Sequence, residues 1–537
     1  MKRHLFLGNE AVAQAAIDAG ISGAYAYPGT PSTEIMEYIQ HSPTAEERAV
    51  HRQWSANEKT AYETALGMSY AGRRALVCMK QVGLNVAADA FINSAITGVN
   101  GGLVLAVADD PGMHSSQNEQ DSRYYGRFAM IPVLEPSNQQ EAYDMCYTAF
   151  KLSEQLQLPV MLRLTTRLSH SRAAVSLRQS VHPHELHLPQ NLKQFLLLPI
   201  FARKNYVGLL EKQHRMEALS EQSSYNFQEA GVHRHLGIVC CGLGWNYFRE
   251  VFVGREIPWP RVKIGQYPLP RNLLEKLEAE CDELLVIEEG YPMVEEQLRG
   301  FFAAGKPVHG KLDGWLPRYG ELTSDQVGRA LQITYPAPYP VPEVVVPRPP
   351  SFCRGCGHVD AFEALQEVVA GYGAGHIFSD IGCYALAALP PYQGIYSCVD
   401  MGASITMAKG AADAGFFPAV AFIGDSTFTH SGMTGLLDAV NEHTNMVVVI
   451  SDNQCVAMTG GQQPAGLGKL EAICEGLGVD PAHIRVFTPL HKNQEDMIRI
   501  YQEEIEYDGL SVVIPRRECL QKATRRRRQE KQKQAKN

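Results

Sequence analysis

Across the first 170 residues, short apolar runs alternate with alanine-rich stretches of helical period, and this alternation constrains the fold more than any other feature of the chain. Residues 74–79 (RALVCM) and 103–108 (LVLAVA) read as strands, and 57–71 reads as a helix between strands. A strand–helix–strand rhythm builds a parallel sheet. The rhythm returns at 236–241, where a strand is followed by Gly242, Gly244 and a helix, and continues to a strand at 283–287 and a helix after Tyr291. It returns again beyond Ser351, with strands at 419–423 and 446–450 separated by a helix over 432–443.

A chain of 537 residues exceeds what one hydrophobic core can organise. Two breaks stand out. Residues 175–230 are polar, Gln- and His-rich and weakly periodic, which reads as a connecting segment. Residues 335–351 hold seven prolines in seventeen positions, a composition that favours extended backbone and reads as an interdomain linker. The expected divisions are therefore 1–175, 176–230, 231–332, 333–350, 351–520 and a tail at 521–537. No internal repeat of 20 to 50 residues is found.

The charge of -9, with 45% apolar residues, is that of an ordinary globular body and gives no sign of a nucleic-acid partner. The apolar N-terminal stretch is cut by Asn9 and Glu10, and the most apolar short run, 195–201, contains Pro199, so neither export nor a membrane span is expected. The expected location is the cytoplasm. Twelve cysteines in such a chain read as buried thiols plus a possible metal site rather than a disulfide framework. Residues 516–537 carry ten Lys or Arg against two acids and read as a solvated, partly disordered end.

Three clusters carry chemistry. Ile423-Gly424-Asp425-Ser426 closes a strand, and Asp452-Asn453 closes the next, Asn453 lying 28 positions after Asp425. An Asp carboxylate and an Asn amide at adjacent strand ends suit Mg²⁺, which takes a few hard oxygens from protein and shares the rest with phosphate and water; amides at the helix start would hold phosphate oxygens. Alone, a Gly-Asp pair is usually a turn or a helix cap. Trp54-Ser55-Ala56-Asn57-Glu58-Lys59 opens a helix, where Glu58 would at least complement the dipole. Cys353-Arg354-Gly355-Cys356-Gly357-His358 has the spacing of zinc and iron–sulfur sites alike, and unliganded thiols are a third reading.

Together these segments resemble the alpha subunits of indolepyruvate:ferredoxin oxidoreductases, within the thiamine-diphosphate-dependent 2-oxoacid:ferredoxin oxidoreductase family. The likeness is carried also by Gly8-Asn9-Glu10-Ala11, by Tyr27-Pro28-Gly29-Thr30-Pro31-Ser32, by the run Met79-Lys80-Gln81-Val82-Gly83-Leu84-Asn85-Val86, by Asp109-Asp110-Pro111-Gly112, by the run from Ser115 to Arg123, and by the run from Asp452 to Gly460. It covers residues 5–170 and 350–520. What it implies is an α/β multidomain thiamine-diphosphate-binding fold with parallel sheets flanked by helices. Residues 1–175 would hold the pyrimidine, 231–332 would be a transketolase C-terminal-like α/β domain, and 351–520 would hold the diphosphate.

The resemblance assigns Glu58 to activating the cofactor, Asp425, Asn453 and the Cys455 carbonyl to Mg²⁺, and Gly402, Gly424, Ser426 and Met458 to the cofactor. Thr30 would contact the 2-oxoacid, and Arg123 would either supply charge for its carboxylate or be a surface or core ion-pair residue. Cys353, Cys356, Cys383 and Cys519 match the ligands of a [4Fe-4S] cluster. Decarboxylation leaves an electron-rich adduct whose one-electron oxidation gives such a cluster a purpose that redox-inert zinc would lack. His358 is expected to be structural or to sit behind the ligands.

The expected reaction is oxidative decarboxylation of a 2-oxoacid, such as an aryl pyruvate, to an acyl-coenzyme A, with electrons passing to ferredoxin and a smaller beta- or gamma-type subunit as partner. No cysteine follows Cys519 in this sequence, so the two distal clusters of the family's ferredoxin-like module are not expected here. The basic tail is then a candidate dock for an acidic carrier or partner subunit. A non-oxidative thiamine-dependent decarboxylase and an inert assembly or electron-relay subunit are the rival readings.

Overall fold

The computed structural model describes residues 3–191, 193–301, 306–333, 340–346, 348, 350–395 and 397–534. Of the expected Pro-rich linker, residues 334–339, 347 and 349 lie outside these. The chain forms two compact units, Met1–Pro340 and Val341–Asn537, and the division falls within the Pro-rich stretch.

The first unit is built on a seven-stranded sheet. Its order is Gln266–Tyr267, Val133–Leu134, Val160–Thr165, Leu103–Asp109, Ala75–Lys80, Gly23–Ala26, His51–Trp54, and every pairing is parallel except that of the first strand. Its central strands are buried along their whole length, as a sheet covered on both faces must be. A five-stranded sheet follows, with Leu236–Cys241 at its centre between Glu283–Ile287 and Arg261–Ile264.

One apolar core runs from Tyr25, Phe91 and Met161 through Val239, Leu277 and Val286, so the two sheets of this unit share a face. Residues 231–332 are thus packed into the first unit, and their strand Gln266–Tyr267 joins its sheet. Within the expected connecting segment lies a helix of 23 residues, Pro199–Glu221. Proline at its first position is harmless, because that residue has no intrahelical amide bond to lose.

The second unit is a six-stranded parallel sheet in the order Ser397–Cys398, Ile377–Ser379, Val420–Gly424, Met446–Ser451, Leu510–Pro515, Ile484–Phe487. Counting the six mutually parallel strands of each large sheet along the chain, both units have the order 2-1-3-4-6-5. In each, the order reverses beside the first strand, and the crevice at the carboxyl ends there is where doubly wound sheets bind ligands. Of the expected tail, Leu520–Gln534 forms a helix, and residues 535–537 lie outside the described residues. Among the described residues no helix is long and apolar enough to cross a membrane.

Candidate functional site

In the first unit the reversal point lies between Gly23–Ala26 and Ala75–Lys80, with His51–Trp54 beyond. The segments that leave these three strands carry Thr30, Lys80 and Glu58. Glu58 opens the helix Glu58–Tyr70, whose N-cap Asn57 accepts the Thr60 amide at 2.8 Å; only 4% of Glu58 is exposed. Gly83 packs directly on it, and a Cβ there would stand 2.5 Å from Glu58 Oε1. Thr30 is half-buried, and its carbonyl accepts Ser115 Oγ at 3.1 Å.

The same loop is pinned by Asp110, whose Oδ2 accepts the Ser115 amide and Ser116 Oγ, each at 2.8 Å. Asn9 Nδ2 donates to the Pro31 carbonyl at 2.7 Å. Lys80 is a residue sequence reasoning did not single out. Its ammonium donates to the Ser115 carbonyl at 2.8 Å, and burial holds its pKa down against the pull of Asp110 and Glu58. Its place at the carboxyl end of a central parallel strand was the available signal.

Arg123 is not at this crevice mouth. Its side chain is fully buried: Nη1 pairs with Glu288 at 2.9 Å, Nε donates to Asp121 at 2.9 Å, and Nη2 donates to the carbonyls of Glu289 and Tyr291 at 3.2 and 2.9 Å. Arg163, equally buried, joins through Asp109 and Glu135. A guanidinium whose donors are spent on the protein has none to offer a substrate carboxylate, so the expected substrate role is corrected to the alternative of a core ion pair. It ties the seven-stranded sheet to the residues after Glu283–Ile287.

In the second unit the reversal point separates Ile377–Ser379 from Val420–Gly424. Asp425 follows directly on the latter. Its Oδ1 accepts the Ser426 amide at 2.8 Å, while Oδ2 is buried with no hydrogen-bond partner, and burial together with Asp452 pushes its carboxyl up to about 8. A buried carboxylate facing another acid is a place prepared for a cation. Asn453 Oδ1 accepts the Cys455 amide at 3.0 Å, so these two residues of the expected metal side share one turn.

Gly402 has φ +103°, and a Cβ there would stand 2.7 Å from Ser431 Cβ, so only glycine allows this approach. Asp380, unassigned from sequence, buries its carboxylate against the Gly402 and Ser404 amides at 2.7 and 3.0 Å and so fixes the start of the helix Ala403–Asp413. Gly424 packs under the Tyr384 ring, Ser426 is buried, and Met458 stands 63% exposed on the loop after Cys455.

Cys353 and Cys356 from one segment, and Cys383 and Cys519 from two others, line one cavity of about 120 Å³, together with His358, Asp452 and Asn453. Burial first, and then the thiols of Cys356, Cys519 and Cys353, push Cys383 up to about 12. Gln521 Nε2 donates to Cys353 Sγ at 3.5 Å. Cys519 accepts a hydrogen bond from the Cys455 thiol, which holds it down at about 5, and its amide donates to the Asn453 carbonyl at 3.0 Å.

Burial keeps His358 neutral, with a pKa of about 4. With its proton on Nδ1 it donates to Cys356 Sγ at 3.6 Å and accepts Asn453 Nδ2 on Nε2 at 3.4 Å, which joins the thiol cavity to the metal-side turn. Among the described residues no three His, Cys, Asp or Glu side chains converge as a single ion requires.

Equivalent reversal points thus carry a buried Glu58 in one unit and a buried Asp425 in the other, and comparison with known proteins places the chain among thiamine-diphosphate-dependent oxidoreductases. The family model described as pyruvate flavodoxin/ferredoxin oxidoreductase, thiamine diphosphate-binding, matches residues 14–220, and that of the thiamine pyrophosphate enzyme C-terminal binding domain matches 380–514. The indolepyruvate oxidoreductase subunit IorA of Archaeoglobus fulgidus is 38% identical over 98% of this chain and 88% of its own length. That of Pyrococcus abyssi is 37% identical over 96% and 86%. In fold the chain is similar to a 2-oxoglutarate:ferredoxin oxidoreductase from Magnetococcus marinus, with TM-score 0.50 and 16% identity over 62% of this chain and 65% of that one. The chain belongs to the indolepyruvate oxidoreductase alpha-subunit family.

Proposed function

We propose that this chain is the catalytic subunit of an enzyme that oxidises an aryl pyruvate such as indolepyruvate, working with a smaller subunit in a hetero-oligomer. The balanced reaction takes one 2-oxoacid, one coenzyme A and two oxidised ferredoxins to one acyl-coenzyme A, CO₂, two reduced ferredoxins and a proton. Bound thiamine diphosphate supplies the carbanion chemistry that breaks the carboxyl–carbonyl bond. Glu58, buried beneath Gly83, would hydrogen-bond the aminopyrimidine and select its tautomer. Asp425, Asn453 and the Cys455 carbonyl would hold Mg²⁺ and through it the diphosphate, with Gly402, Gly424 and Ser426 lining the approach. Thr30, half-buried at the crevice, is placed to orient the substrate.

Cys353, Cys356, Cys383 and Cys519 would hold a [4Fe-4S] cluster. The observation that carries the reading is the cavity that gathers these four thiols next to Asn453. Zinc would leave the electrons no exit. The substrate class rests on the names of the relatives.

Anaerobically purified protein, assayed with a panel of 2-oxoacids, coenzyme A and methyl viologen, tests the proposal. Reduction of viologen that needs both coenzyme A and an aryl pyruvate is expected, together with about four iron and four sulfide per chain. Release of CO₂ and aldehyde without any reduction would establish a non-oxidative decarboxylase instead.

A further inference from the structure

The helix Leu520–Gln534 holds seven Lys or Arg and one Glu in a chain whose net charge is -9. It begins one residue after Cys519, whose backbone carbonyl accepts the Ala523 amide at 2.9 Å, so the first turn of the helix starts from a residue of the candidate cluster. Its first two turns are tied down: Lys522 donates to the Gln454 carbonyl at 2.5 Å, Arg525 to the Gly460 carbonyl at 2.7 Å, and Arg526 pairs with Glu518 at 3.0 Å. These side chains share one face, and Lys522 and Arg525 close on the loop after Asn453.

The opposite face carries Arg527, Arg528 and Lys531, spaced as neighbours on a helix surface. All three are exposed, and among the described residues none has an ion pair. Three unneutralised cations side by side repel one another and weaken the helix that holds them, so the arrangement stands at a local cost in stability.

We propose that this outer face is the docking surface for an acidic electron-carrier protein, a proposal that rests on the oxidoreductase reading above. Charge supplies the complementarity. Position supplies the purpose, because at 1.5 Å per residue Arg527 lies roughly 12 Å along the helix from Cys519. A carrier seated on this face therefore waits beside the cavity of Cys353, Cys356, Cys383 and Cys519. Were a cluster held by those four thiols, each docking would pass one electron from it to the oxidised carrier, and two encounters would carry the two electrons released by one 2-oxoacid. The anchored inner face keeps the dock rigid with respect to the thiols.

The test compares the full chain, purified anaerobically, with its Arg527→Glu/Arg528→Glu/Lys531→Glu variant. The probe is an acidic bacterial two-[4Fe-4S] ferredoxin, and binding is measured by interferometry at low and high salt beside methyl viologen reduction. Expected is a loss of ferredoxin affinity of about tenfold or more at low salt, a flattened salt dependence, and an unchanged viologen rate. Equal ferredoxin affinity of the two proteins would overturn the proposal, as would selective loss of single-stranded RNA binding in the variant with ferredoxin binding intact. Absence of viologen reduction in the unmodified protein would instead refute the oxidoreductase reading, so the two failures are distinct.

Discussion

Replacing Asp425 by Asn should shift stability in opposite directions with and without cofactor. In the cofactor-free protein Asp425 Oδ2 is buried without a partner, and the carboxyl faces Asp452. An Asn keeps the acceptor for the Ser426 amide, now at 2.8 Å, and turns a repelled oxygen into an amide that donates to Asp452. Relieving one unpaired buried polar group stabilises by about 1–3 kcal/mol. For a unit of this length that raises Tm by about 2–10 °C. Cofactor reverses the order. At a hundredfold excess over Kd a ligand adds about 2.7 kcal/mol, so the unmodified protein should gain some 5–10 °C from Mg²⁺ and thiamine diphosphate while the variant gains almost nothing. Differential scanning calorimetry of both proteins, each with and without the pair of ligands, reads all four values. A variant that melts lower without cofactor, or that gains as much from it as the unmodified protein, would refute the assignment of Asp425 as the metal-side carboxylate.

Other consequences follow from the same geometry. Glu58→Gln should leave folding intact and lower turnover by about 10²–10⁴, read as acceptor reduction beside an unchanged circular dichroism spectrum. Gly83→Ala should impair activity by displacing Glu58, since its methyl would stand 2.5 Å from Oε1; unaltered kcat would show that Glu58 has room to move. Arg123→Met should destabilise by about 3–5 kcal/mol in denaturant unfolding, because it strands Asp121 and Glu288; a raised KM with normal stability would restore its substrate role. Cys383→Ser should remove most of the bound iron and the absorption near 400 nm on anaerobic purification, whereas retention of both would move the cluster elsewhere.

Much of this architecture was legible because its strands are apolar on both faces. Leu236–Cys241 and Glu283–Ile287 coincide with the runs read from sequence, and the helix Glu58–Tyr70 falls within the stretch 57–71 read as helical. The helix Pro199–Glu221 was not legible for a physical reason: Leu209 and Met216 are buried on one side while Ile200, Val207 and Leu210 stand exposed on the other, so no single apolar stripe forms. Gln266–Tyr267 is two residues long and pairs with a strand more than a hundred positions earlier, a contact local pattern cannot signal.

The site shows the same division. Asp425, Asn453, Cys353 and Cys356 sit in short motifs that leave a trace in one dimension, whereas Cys383 and Cys519 were reached only through the family resemblance. The burial of Arg123 and the role of Asp380 depend on partners far away in sequence, Glu288 for the first and Gly402 with Ser404 for the second. The helix Leu520–Gln534 was not legible because ten Lys or Arg against two acids over 516–537 suggested a solvated chain, whereas Lys522 and Arg525 each find a backbone carbonyl that holds the first turns in place.

The most direct test of the account is a single turnover under anaerobic conditions. Protein reconstituted with thiamine diphosphate and Mg²⁺ is mixed with indolepyruvate while absorption near 400 nm and electron paramagnetic resonance are followed, beside the Glu58→Gln variant. The account predicts bleaching and a reduced-cluster signal in the unmodified protein and neither in the variant. Loss of CO₂ from the substrate with the spectrum unchanged would contradict it.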